Sequence, residues 1–400
     1  MGLLKIGEPA PTPSGPAFAA IWALGFRPFY LLAAVFACLA IVLWVLNLSG
    51  VVPLALPGVL WHAHEMIFGF AAAVIVGFLF TAGRNWTGLP TPSGVPLAAL
   101  AALWLAGRAS LLISHGALAA LIDFLFLPAA AVALGRVLVQ AGNRRNYFIL
   151  LILGALATAN GVFHLARLQV LSLPPLSALH FALGLIVTLE TVMGGRVIPM
   201  FTENGLRMAT GKPVLLIQPA WLNKAAIAAT GVALLLWVLG VGAWAAPVSL
   251  LAGGLQLART LHWKPWLTLK VPLLWILHAG HLWIPAGLLL LATVQIGWLP
   301  GSAAVHAFGI GATGGLIIGM ITRTALGHTG RLLVAGPLET SAYALITGAA
   351  LVRVLSLTVL PSAAAGGIHL TATLWILGFL CYLYRYAPFL TRPRADGKPD

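Results

Sequence analysis

Eleven histidines in a chain of 400 residues with only 8 Asp and Glu raise the question of metal chemistry at once. Neutral imidazole is the commonest metal ligand, and it suits copper, iron and haem iron. His278 and His281 are three residues apart, so on a helix they project from one face toward the same cofactor or two adjacent metals. Asn160 and His164, four apart, share a face in the same way. In WHAHE at 61–65, a regular helix points His62 and His64 nearly oppositely and turns His62 and Glu65 to one side. Either one histidine ligates while Glu65 orients it or carries protons, or the two histidines serve different centres. Taken singly, each histidine reads more simply as a hydrogen-bonded packing residue or an interfacial anchor. Only their collective placement argues for metal. Glu190 is the deepest carboxylate and has no obvious local partner, which suits a proton donor, a counter-ion to a bound cation or a satisfied structural group. Asp123 is a weaker candidate for the same roles.

The elements that must position these residues are membrane helices. Sixty percent of the chain is hydrophobic and 8% is charged, whereas a soluble domain carries about 25% charged residues. Apolar runs fall at roughly 28–48, 62–83, 95–114, 117–139, 147–168, 176–199, 220–240, 243–261, 271–294, 302–323, 338–359 and 367–388. Each matches the ~20 residues that a helix needs to cross a bilayer. The runs are continuous rather than alternating, which excludes a barrel. The fold class is therefore an all-α polytopic bundle of about twelve transmembrane helices, a single domain over 1–400. Residues 1–27 and 389–400 form its N-terminal segment and C-terminal tail. The Pro-rich N-terminus lacks the order of a cleavable signal. Cys38 and Cys381 lie inside apolar runs without CxxC spacing and read as packing residues. A net charge of +14 has no soluble domain on which to form a nucleic-acid surface, so it reads as topogenic.

Assigning alternate connectors to one side gathers every Lys and Arg there except Arg108, Arg167 and Arg353. The positive-inside rule then places both termini in the cytoplasm. All histidines but His262 and His328 fall in the outer half or near the midplane, with His278 and His281 the deepest. Polar groups at such depth are costly unless paired, and they usually mark a site. His115 and His369, nearest water, read as ordinary surface residues. Arg108, Arg167 and Arg353 either snorkel or clamp haem propionates. Gly311, Gly315 and Gly319 make a smooth face on span 10, for tight helix packing or for a porphyrin lying below His306. Charge explains the arginines of GFRPF, RNWTG, RVIPMFTENG and TRTALGHTGR, but not the Gly, His, Thr and Asn around them.

GFRPFYLLAA at 25–34, WHAHEMIFGFAAAVIVGFLFTAGRNWTG at 61–88, RVIPMFTENG at 196–205, LHAGHLWIPAGLLLLA at 277–292 and HAFGIGATGGLIIGMITRTALGHTGR at 306–331 resemble the NnrS family. The resemblance runs nearly end to end. It implies a twelve-helix protein of the bacterial cytoplasmic membrane that contains haem, of the b type, and copper. It also implies a link to nitric oxide, nitrosative stress and denitrification. The family motifs cover His62, His64, Glu65, Arg196, His278, His306, Arg323, His328 and Arg331. The family often carries an aromatic at the position of His281, so that histidine is a departure.

The expected site set follows. Glu65 and Glu190 handle protons. His62, His64, His164, His180, His278 and His306, with Arg108, Arg167 and Arg353, hold cofactor. His62, His64, His278, His281 and His306 ligate metal. The expected function is nitric oxide binding with reduction or other removal. Two-electron, two-proton reduction to nitrous oxide would draw electrons from quinol or a separate redox protein, because no CxxCH and no cupredoxin domain is present. A non-catalytic nitric oxide-binding or sensing protein is the first alternative. A twelve-helix secondary transporter is the second, disfavoured by the missing Gly-Asp-Arg loop and by so many deep histidines. The His-Pro-Glu-Val block and paired span-10 histidines of conventional haem–copper oxidases are absent.

Overall fold

The structure, a computed structural model, describes residues 17–398. The expected lack of a cleavable signal falls mainly on residues outside that range. After a short turn at Ala17–Ala20 come twelve long helices: α1 (Phe26–Leu48), α2 (Gly58–Thr87), α3 (Gly94–Ile113), α4 (Ala117–Gln140), α5 (Tyr147–Arg167), α6 (Pro175–Thr210), α7 (Ala220–Val238), α8 (Ala246–His262), α9 (Pro272–Gln295), α10 (Gly301–His328), α11 (Pro337–Thr358) and α12 (Ala364–Thr391). The described residues contain no strand. Every predicted apolar run has its helix, and 11 of the helices are long and apolar enough to cross a membrane. The exception is α8, only 17 residues long and carrying buried Gln256 and Arg259. Its polar groups serve the site described below. The outward-facing side chains are apolar, among them Leu39, Val132, Leu151, Leu251 and Leu377, as acyl chains require. This is a multi-pass membrane protein.

The start of α1 and the end of α12 lie at one end of the bundle. Buried Arg27 at the start of α1 donates through Nη1 to the carbonyls of Phe389 (3.3 Å), Leu390 (3.0 Å) and Arg392 (2.7 Å) at the end of α12. That face is called the terminal end here. The ornate helix ends prove to be joints. Thr81 Oγ1 accepts the Phe26 N–H at 3.1 Å, Glu203 Oε1 accepts the Leu216 N–H at 2.9 Å, and Gly88 closes α2 at φ +69°, a conformation that favours glycine.

The glycines of α10 settle one open choice. A Cβ on Gly311 would strike Trp283, and one on Gly315 would sit 3.0 Å from Gly280 Cα. Helix α9 fills the smooth face, so it packs a helix and not a porphyrin. A Cβ on Gly280 would lie 2.8 Å from Leu316 N and 2.9 Å from Gly315 C, backbone atoms that cannot swing aside. Gly280→Ala is expected to destabilise by roughly 1–3 kcal/mol, the usual cost of overpacking. Gly231→Ala, with nothing within 4 Å, should be neutral or stabilising by up to about 1 kcal/mol. Paired thermal melts in detergent check this, and equal melting temperatures would sink it.

Two π-helical stretches interrupt the long helices, Glu65–Ala71 in α2 and Ala307–Gly314 in α10. Such widened turns concentrate at functional sites. Each begins immediately after a histidine named above, His64 or His306.

Candidate metal and ligand site

The histidines gather into three groups. The first is a buried polar network on α2–α5. His64 Nδ1 lies 2.9 Å from Glu65 Oε1, and Nε2 lies 3.0 Å from Asn160 Oδ1 and 3.3 Å from Asp123 Oδ2. Asn160 Nδ2 donates to Asp123 Oδ2 at 2.9 Å, and His164 Nε2 meets the same oxygen at 2.7 Å. Arg108 donates to Glu65 Oε2 at 2.9 Å and pairs through Nη2 with Asp123 Oδ1. Arg167 donates to His164 Nδ1 at 3.3 Å and to the His115 carbonyl. Guanidinium only donates, so His164 Nδ1 is the lone pair and Nε2 carries the proton to Asp123. His64, Asp123 and His164 stand close enough to hold one ion, yet each ligating atom already has a partner. The network leaves these three groups no free ligating atom, although Arg108 Nε has no hydrogen-bond partner.

This settles the reading of WHAHE. The Glu65 carboxylate bonds His64 and Arg108 of α3, and His62 stands in a different group, so the two histidines serve different centres. Asp123, the weaker candidate in the sequence, is the hub of the network.

The second group lies at the opposite end from the termini. His62 stacks on Trp44 (centroids 4.8 Å, planes 16° apart). His306 Nδ1–H donates to the Ser302 carbonyl at 2.7 Å, which leaves Nε2 as a lone pair. His62, His306 and Arg353 are near enough to interact electrostatically. His62 Nδ1 and Arg353 Nη1 are buried without partners.

The third group sits on α9, in the first half of the helix. Thr202 spends its hydroxyl proton on the Ile198 carbonyl (2.8 Å), so it can only accept from His278 Nε2–H, 2.9 Å away. Thr260 spends its proton on the Gln256 carbonyl (2.8 Å) and accepts from His281 Nδ1–H at 2.8 Å. Both tautomers are thereby fixed. His278 Nδ1 and His281 Nε2 remain as bare lone pairs, buried and unpartnered. Leaving such a group unsatisfied costs about 1–3 kcal/mol, and hydrogen-bonded orientation of this kind is what metal-ligating histidines have. Trp263 packs on both rings, 4.5 Å from His281 and 6.3 Å from His278 between centroids. The Gly194–Gly195 pair of α6 makes room: a Cβ on Gly194 would lie 3.1 Å from His281 Cδ2, and one on Gly195 would fall on the Arg259 guanidinium.

A cavity of ≈ 110 Å³ lies between α1, α2, α6, α9 and α10. Its walls are mostly aliphatic, with Val74, Ile186, Met193, Leu277 and Ile317 among them. Gly194, which touches His281, and Leu277, next to His278, join it to the third group. Glu190 and Thr313 also line it, close enough to interact with each other, though Glu190 Oε2 and Thr313 Oγ1 make no well-formed hydrogen bond.

The family model described as NnrS protein matches residues 20–394. The chain belongs to the NnrS family. A search of curated proteins found no match. Membership in the NnrS family points to a nitric oxide-related haem and metal membrane protein, and the donor sets can be tested against that. The unpartnered His62 Nδ1 and the Nε2 lone pair of His306, beside an unpartnered guanidinium nitrogen of Arg353, fit an iron with an anionic periphery such as haem carries. Two unpartnered, tautomer-fixed imidazoles at His278 and His281 fit copper.

Other predicted residues stand apart from these groups. His180 stacks on Trp237 at 4.5 Å on the α6–α7 seam. His369 and His115 are exposed. Arg108 is committed to two carboxylates and Arg167 to His164 and His115. Both cysteines are free. Thr202, Thr260, Trp263 and Arg259 were not singled out by the sequence, because each meets its partner only through packing between helices.

Proposed function

We propose that this NnrS-family chain binds nitric oxide at haem and copper within the bundle and reduces or otherwise removes it. The carrying observation is the cavity: small, almost wholly apolar, lined by the Glu190 carboxyl, and walled by Gly194 and Leu277, which adjoin the α9 histidines. Nitric oxide is a small, uncharged, lipid-soluble molecule, and such a chamber accepts it while excluding bulk water. Haem and copper supply redox change and gas affinity when bound. The chain's own part is to hold and orient. His62, His306 and Arg353 would hold the haem; His278 and His281, oriented by Thr202 and Thr260, would hold copper. Glu190 would store the proton that the chemistry draws. The Glu65–Arg108–Asp123 network keeps α2, α3 and α4 in register beside His62. We place the terminal end in the cytoplasm of a bacterial inner membrane from its cation bias. Electrons would come from quinol or a redox protein.

A reduced-minus-oxidised spectrum of purified protein with metal analysis tests this directly. We expect a Soret band that shifts on adding nitric oxide, and its loss in His62→Ala and His306→Ala. Protein lacking both Soret absorption and copper would end the proposal. A nitric oxide-shifted spectrum without steady-state consumption under reductant would favour the binding or sensing role over turnover.

A further inference from the structure

Buried tyrosines gather between the terminal end and the cavity, and no part of the reading above uses them. Tyr386 Oη donates to Glu339 Oε1 at 3.1 Å. Glu339 lies one layer beneath the surface: Arg385, half exposed, meets the same oxygen at 3.4 Å. Glu339 also caps α11, accepting the Gly336 N–H at 2.9 Å. Its local role is therefore structural at one oxygen and open to relay at the other. The Tyr386 ring stacks on Tyr382 (centroids 4.7 Å, planes 7° apart), and Tyr382 is electrostatically coupled to Tyr30 of α1. Tyr30 lines the cavity that holds Glu190.

The Tyr382 hydroxyl is fully buried and has no hydrogen-bond partner; the buried Tyr30 hydroxyl interacts with Thr324, and Glu190 with Thr313, but neither contact makes a well-formed hydrogen bond. Native proteins seldom leave buried polar atoms unmatched. Such atoms gathered between two polar ends mark where transient water completes a chain of hydrogen bonds. The cavity, at ≈ 110 Å³, exceeds the roughly 30 Å³ that one water occupies several-fold. Ionisable groups within a membrane bundle commonly serve as proton relays.

We propose that Glu339, Tyr386, Tyr382 and Tyr30 form a proton-entry route from the terminal end to Glu190. Each hydroxyl takes one proton from the side of Glu339 and releases one toward the cavity. One proton therefore leaves bulk water for each that Glu190 gives up, and no other reactant is needed. The purpose of the route rests on the cavity chemistry proposed above; its conduction does not.

The test is infrared spectroscopy of the purified full-length protein moved from H₂O to D₂O, without nitric oxide. The acid form of Glu190 is the one an apolar cavity accepts, since burying an unpaired carboxylate is far more costly. Its carbonyl band, identified by its loss in Glu190→Gln, should shift on deuteration. Tyr382→Phe removes a hydroxyl that bonds nothing in the fold, and Tyr30→Phe one that meets only a weak contact from Thr324, so a purely structural role leaves exchange at Glu190 unchanged in both. The relay role slows exchange at Glu190 at least tenfold while the melting temperature holds. Unchanged exchange in both variants, or no carboxylic band that Glu190→Gln removes, overturns the proposal. Failure of the nitric oxide reading would show instead as a missing Soret or copper signal, which this measurement does not use.

Discussion

Arg108→Met is expected to lower stability by about 3–5 kcal/mol, the cost of breaking a buried ion pair from one side. Arg108, Glu65 and Asp123 are all buried. The guanidinium faces both carboxylates, and its removal leaves two anions in the bundle with only His64 and Asn160 between them. A methionine fills the volume but answers neither charge. Restoring neutrality with Glu65→Gln and Asp123→Asn in the same chain should recover most of the loss, since a vacant pair costs less than a broken one. Thermal unfolding in detergent measures all of this. A single variant as stable as the parent would show that the network contributes little to folding. The same double replacement tests whether the carboxylates matter to chemistry once stability is repaired.

His278→Ala is expected to abolish copper binding at the α9 site, taking copper stoichiometry down by one equivalent with the fold intact. His281→Ala should weaken binding rather than abolish it, because the resemblance drawn from the sequence includes His278 and marks His281 as a departure. The sharper probe is Thr260→Val. It touches no metal, yet it frees His281 to rotate or to move its proton onto the lone pair. Loss of such an orienting partner typically weakens metal affinity by about 10–100-fold. Competition against a copper chelator of known affinity reads all three variants. Parent-like affinity in His278→Ala would remove copper from α9, and parent-like affinity in Thr260→Val would remove the orienting role from the threonine.

The helices were legible because a bilayer imposes a simple code. Long apolar stretches punctuated by Pro, Gly and charge give the spans, and α6 alone runs well past its predicted end, to Thr210 before Gly211 at φ +70°. The histidines were legible as a population and not as partners. His64 meets Asn160 and Asp123, and His281 meets Thr260, across helices, and no spacing rule encodes such meetings. The π turns left no mark in the sequence either, since a widened turn arises from packing rather than residue preference.

Arg27 carries a consequence for how the chain is made. Its guanidinium is wholly buried and answered by carbonyls at Phe389, Leu390 and Arg392. The first span to leave the ribosome thus waits for the last before its cation finds these acceptors. Until translation is nearly complete, α1 remains an unlatched helix, and a transcript cut short anywhere before codon 389 yields a bundle whose opening segment lacks this clasp.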